Sequence, residues 1–272
     1  MTIPGDRVLR VLIAVLVILF AVTAGPFLVC SIQQKMYQAT LSSELRYTLT
    51  ITTSSTLSAA TLFIPLPTDS AGASPVSELI GTGNASMVFA GWQTSIFGAN
   101  NESYLKLSTD LLPGPMVGTA STYNFTLIAP APVLNTRDPV RYDYTLFPKQ
   151  DLTAIRCEPI YVGEGAVCYR YQSLIFASYN TSPEARVEVR VALSGSNRWE
   201  ILREYLNEYT DSTLVVLYGP VEGWHTAEGW MVISIGDDNP FWKERVEPKV
   251  RINLTAGVDT SMMRWHTFTP LP

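Results

Sequence analysis

The sequence predicts a mainly β protein: an antiparallel β-sandwich, Ig-like or jelly-roll-like, standing after one N-terminal transmembrane helix. Three observations predict it. Residues 11–34 carry no charge, and 11–32 form a largely apolar run. Beyond that run, apolar and polar residues alternate with period two in segment after segment, which is the pattern of half-buried strands. Finally, 47% hydrophobic and 16% charged residues, with 13 Tyr and 10 Phe, describe a chain that can bury a core and favours strands over helices.

The apolar run comes first. Its 22 residues approach the ~20 that a helix needs to cross the hydrocarbon, where a helix satisfies its own backbone polar groups. Arg7 and Arg10 precede it, so the positive-inside rule makes 1–10 a cytoplasmic tail, 11–32 a signal anchor and 36–272 an extracellular β-rich domain. A competing reading is a cleaved signal peptide, because Val22-Thr23-Ala24 offers small residues before a cut after Ala24. The anchor is favoured because hydrophobicity resumes after Gly25-Pro26. Cys30 lies in this segment as a small hydrophobe, and Phe27-Leu28-Val29 before it lacks the small residues of a lipidation site.

The strands follow. Tyr47, Leu49 and Ile51 share one face of 46–52, and Val187, Val189 and Val191 share one face of 186–193. Segments 58–65, 87–97, 141–146, 166–178, 212–218, 229–235 and 261–268 read the same way, giving ten or more strands. One stretch reads as a short helix: in 198–207, Trp199, Leu202, Tyr205 and Leu206 would form a stripe. The Pro-rich neighbourhood at 129–140 is the best boundary, either dividing two small sandwiches or joining two sheets of one.

Two further signs point outside the cytoplasm. Cys157 and Cys168 flank a Pro- and Gly-containing loop and predict a disulfide-stapled hairpin, worth ~2–3 kcal/mol if unstrained. Asn-x-Ser/Thr sequons stand at Asn84, Asn101, Asn124, Asn180 and Asn253, five of ten Asn where composition alone gives about two. Alternation puts Asn124 and Asn253 on polar faces, where a glycan would not disturb a core.

Chemistry is harder to find. His225 and His266 are the only histidines, and no metalloprotease, CxxC or nucleophile-elbow pattern occurs, so no enzyme and no cofactor is expected. Gly223–Trp230 is the most distinctive stretch: as a loop, Trp224, His225, Glu228 and Trp230 would suit a sugar-type ligand. The plainer reading is a hairpin whose indoles cover a sheet edge. Asp237 and Asp238 form a weak calcium candidate that an Asp/Asn/Pro turn explains more simply. The net charge of −5 supports neither nucleic acid nor anionic lipid as an electrostatic partner.

Thr61-Leu62-Phe63-Ile64-Pro65-Leu66-Pro67, and Gly219-Pro220 followed by Gly223-Trp224-His225, after a signal anchor, resemble uncharacterised, exported proteins of archaeal cell envelopes. The resemblance implies an envelope protein with one membrane anchor and assigns no residue a role. The expected function is a structural or interaction role at the cell surface, with envelope proteins or glycans as partners. A carbohydrate-binding module, or less readily a surface hydrolase, is the alternative.

Overall fold

The computed structural model describes residues 4–69, 72–82, 91–99, 102–116, 118–157 and 166–234. A single long helix, α1 (Pro4–Thr40), leads into a domain that is mainly β. Its strands are β1 (Ser42–Thr53), β2 (Leu57–Pro65), β3 (Pro67–Thr68), β4 (Gln93–Ala99), β5 (Glu102–Leu112) and β6 (Ser121–Pro130). They continue with β7 (Thr145–Leu146), β8 (Gln150–Ile155), β9 (Val167–Asn180), β10 (Arg186–Ile201), β11 (Arg203–Tyr218) and β12 (Val221–Ser234). Two short helices, α2 (Pro75–Gly81) and α3 (Pro139–Tyr142), complete the described elements.

Ten strands form one antiparallel sheet in the order β4-β5-β2-β9-β12-β11-β10-β1-β6, with β8 pairing beside β2 on the same side of β9; β3 and β7 form a separate pair. The expected mainly β, antiparallel class is therefore what the chain adopts, and its layered core arises from one sheet curled into a half-barrel. Strands β1 and β2 are joined by only a short turn at 54–56, yet four strands separate them in the sheet. The chain thus steps across the mouth of the curl. Inside, the buried Tyr47 phenol of β1 donates to the Pro65 carbonyl at the end of β2, 3.1 Å away. Helix α2 packs against both edge strands, β4 and β6, and the Trp92 ring meets Phe125 of β6 edge-on at 6.2 Å. Ser74 caps that helix by accepting the Ser77 N–H, and Pro75 takes its first position, where no donor is lost.

Alternation dictates which residues line the curl. Along β10, Val187, Val189, Val191 and Leu193 are buried while Arg186 and Arg190 face out. Two glycines on the inner face carry tyrosine rings instead of side chains. A Cβ at Gly195 would lie 2.3 Å from the Tyr209 ring, and one at Gly229 would lie 2.3 Å from the Tyr171 ring. Each pair is directly cross-strand, so the ring fills the space the glycine leaves.

The structure corrects four expectations. Residues 198–207 form no helix: they are the β10–β11 hairpin, with Trp199 opposite Tyr205 and its turn at Leu202. Residues 141–146 are not one strand but the end of α3 followed by the short β7. The stretch at 129–140 is no boundary between sheets, because β1 pairs with β10 and β2 with β9 across it. Residues 223–230 are neither loop nor hairpin; they lie inside β12, paired with β9 throughout. Strand β5 was not foreseen. The expected strand at 261–268 lies outside the described residues.

Helix α1 stands apart from this core. Residues 9–40 are long and apolar enough to cross a membrane, and the apolar stretch is not buried against the domain. The helix runs unbroken through Gly25-Pro26. It meets the sheet at its C-terminal end, against β10.

Candidate functional site

The inner face of β10 and β11 is apolar except at a few positions, and there the 131–149 segment is tied down. Asn197 of β10 is buried; its Oδ1 accepts the Ser43 hydroxyl at 2.6 Å and the Leu134 N–H at 3.1 Å, while Nδ2 donates to the Leu134 carbonyl at 2.7 Å. Asp143 turns inward and accepts the N–H groups of Asn135 and Tyr144.

The central group is Asp211 of β11, fully buried. Its Oδ2 accepts from Lys149 Nζ at 2.5 Å and from the Leu146 N–H at 2.8 Å, and its Oδ1 accepts the Tyr171 phenol. Lys149 also donates to the Leu146 carbonyl at 2.5 Å, and its ammonium lies 4.1 Å from the centre of the Tyr171 ring. Tyr209 donates to the Tyr144 carbonyl at 2.5 Å. Burial pushes the Lys149 amine below its ordinary range, against the pull of Asp211. Burial, with Asp211 beside it, pushes the Tyr171 phenol well up. A lysine, a carboxylate and a phenol in contact are residues used for proton transfer. Here, however, every oxygen of Asp211 is occupied by protein donors, and the cluster's effect is to pin 131–149 across the concave face.

The outer face carries a second constellation. Trp224 of β12 packs at ring-centroid distances of 5.2 Å from Tyr104, 5.6 Å from Phe176 and 6.0 Å from Phe63. Phe97 adds an edge contact to Phe63 at 5.4 Å, and Lys106 Nζ lies 5.8 Å from the Phe63 ring centre. These rings form an aromatic patch over β4, β5, β2, β9 and β12, with Tyr104 buried beneath the partly exposed Trp224, Phe63, Phe176 and Phe97.

The residues singled out along 224–230 are dispersed by the strand. Trp224, Glu228 and Trp230 share the outer face, but the two indoles stand six residues apart, about 20 Å along an extended chain. His225 points to the opposite face, where partial burial lowers its pKa and Nε2 is buried without a hydrogen-bond partner among the described residues. Glu228 pairs instead with Arg170 at 3.3 Å. The two tryptophans therefore do not wall one site, nor do His225 and Glu228 meet. His266, Asp237, Asp238, Asn84, Asn101 and Asn253 lie outside the described residues. Among those described, no cluster of three His, Cys, Asp or Glu side chains is placed to hold a metal ion.

Cys157 and Cys168 are joined, with sulfurs 2.06 Å apart, at the end of the β8–β9 pair where residues 156–166 connect the two strands. Asn124 is exposed on β6, where its Oδ1 accepts the Thr50 hydroxyl at 2.8 Å within a threonine ladder that includes Thr48–Thr126 and Thr52–Thr122. Asn180 is exposed at the end of β9.

No known protein family matches the chain, and no curated protein or solved structure does either.

Proposed function

We propose that this chain is a single-pass membrane protein that displays its curled β domain on the exterior side, in a structural or interaction role within a cell envelope. One observation carries the reading: fifteen large apolar side chains between Leu9 and Ile32 are each at least half exposed. At about 1.5–3 kcal/mol per side chain left in water, the helix faces a penalty of tens of kcal/mol, more than a domain's whole stability of ~5–15 kcal/mol. A bilayer removes it. The continuity of α1 past Ala24 supports a retained anchor over a cleaved signal. Arg7 and Arg10 support a cytoplasmic N-terminus, and the Cys157–Cys168 bond supports an oxidising exterior for the domain. The exposed sequons at Asn124 and Asn180 would accept glycans there, and the envelope setting follows the resemblance noted in the sequence.

The topology is tested with a C-terminal epitope tag in intact cells. Degradation of the tag by external protease supports the reading; protection until the cells are lysed contradicts it.

A second reading is favoured by the partly exposed patch around Trp224: a cluster of edge-to-face aromatic rings offers a surface for the apolar face of a sugar. It involves Trp224, Phe63 and Phe97 without Trp230. Binding of envelope polysaccharide that is lost on Trp224→Ala, with the fold retained, would support it. Equal binding by both proteins would end it.

A further inference from the structure

Helix α1 extends beyond its apolar run, and the β10–β11 hairpin runs back beside the extension. Ser42 pairs with Arg198 at the start of β1, and β10 then continues past the start of the sheet. Thr40 Oγ1 donates to the Glu200 carbonyl at 3.1 Å and accepts the Glu200 N–H at 2.9 Å. Tyr37 meets the Trp199 ring edge-on at 5.7 Å, and Trp199 stacks on Tyr205 with planes 8° apart. The hairpin tip is therefore fixed to the helix.

The level of the tip along α1 follows from chain geometry. From Glu200, beside Thr40, two strand residues descend about 7 Å to Leu202. At 1.5 Å per helical residue that reaches about Met36, roughly 6 Å from the end of the apolar run at Ile32. The polar layer on each side of a bilayer is about 5–7 Å thick. The tip thus falls at headgroup depth.

Its chemistry fits that depth. Leu202 is 87% exposed, although it occupies a tight turn with φ of 63°. A branched aliphatic residue in the left-handed region costs about 1–2 kcal/mol where Gly or Asn would be easy, and nothing in the domain packs on it to compensate. Arg203 lies over the Tyr205 ring at 4.8 Å, and Arg198 pairs with Glu204 at 3.0 Å. Exposed leucine, half-buried tyrosines at 37 and 205, and long basic side chains make up the usual set at a membrane interface.

We propose that the β10–β11 tip, led by Leu202, seats in the headgroup layer of the membrane that α1 crosses. This rests on the membrane-spanning reading of α1. The domain is then held at two points, which fixes its tilt and presents the opposite, Tyr218–Val221 end outward.

The test uses full-length protein with Cys30→Ser, reconstituted in phosphatidylcholine vesicles. A fluorophore is placed singly at Leu202→Cys, at Arg203→Cys, at Tyr218→Cys on the far end, or at Leu16→Cys inside α1. Headgroup-region nitroxide lipid should quench positions 202 and 203 several-fold more than 218, at least about threefold, while aqueous iodide should quench 218 most. If 202 and 203 behave like 218 while 16 is lipid-quenched, the tip is in water: the inference fails and the anchor stands. Shielding of 202 from both quenchers means that protein covers the tip, which also overturns it. Iodide access at 16 would sink the anchor and this inference together.

Discussion

Helix α1 and the curled sheet use the same aliphatic residues and sort them to opposite extremes of exposure. Phe20 is 73% and Phe27 79% exposed, while Leu45, Leu49 and Ile51, in the strand that follows the helix, are fully buried. The sheet solves its own solvation problem by curling, with α2 and residues 131–149 closing the gaps. The helix cannot, because its apolar stretch is not buried against the domain, and the contacts described lie near Tyr37 and Thr40. The contrast teaches that the sheet buries its own apolar face, and that the helix needs a solvent the domain does not supply.

The comparison can be broken first from the sheet's side. Asp211→Ala should destabilise the domain by about 3–5 kcal/mol in denaturant titration, because Lys149 is left charged and buried. Pairing Asp211→Leu with Lys149→Met should recover some of that loss, since no lone charge remains. From the helix's side, Leu16→Lys should cost about 3 kcal/mol of insertion, read as a loss of membrane-bound chain, with the unfolding midpoint of the β domain unchanged. Gly195→Ala or Gly229→Ala should cost about 1–3 kcal/mol, because a Cβ collides with Tyr209 or Tyr171.

Alkali sharpens the same contrast. Tyr47, Tyr144, Tyr171, Tyr179 and Tyr209 all have phenols raised by burial. Raised phenols give stability that is fully present below about pH 10 and is lost above it, as unfolded chains ionise first. Lys149, held low, works the other way, since the native chain releases its proton before the unfolded one. Five phenols outweigh one amine, so the unfolding free energy should fall above about pH 10, and Tyr47→Phe should flatten that slope by up to about 1.4 kcal/mol per pH unit. The smallest effect is expected outside: Thr50→Ala on the threonine ladder should shift stability by less than about 0.5–1 kcal/mol.

Much of the fold was legible because alternation is a local signal. Strands β1, β9 and β10 announce themselves by inward Tyr47, Leu49 and Ile51, by Tyr171, Ile175 and Ala177, and by the valines at 187, 189 and 191. The hairpin at 198–207 misled because Trp199, Leu202, Tyr205 and Leu206 also satisfy helical spacing, and because its turn uses leucine rather than Gly or Asn. Strand β5 was hidden because Leu105-Lys106-Leu107 alternates only briefly before Ser108, Thr109 and Asp110 interrupt its apolar phase. The disulfide could be read from spacing. The Lys149–Asp211 pair could not, since 62 residues separate the partners. One trace of it was present: Asp211 sits on the inward phase of β11, between Tyr209 and Thr213, where a charge needs a buried partner. The curl itself left no local mark, because it depends on which distant strands pair.

The account's central claim is that α1 lies in a bilayer and the domain does not depend on it. The direct measurement compares the full chain with residues 41–272 in vesicle flotation after alkaline carbonate wash, with circular dichroism on both. The full chain should float and resist the wash, and the truncated chain should stay in the aqueous fraction with its β spectrum intact. A full chain that washes off the vesicles, or a truncated chain that loses its β signal, would contradict the account.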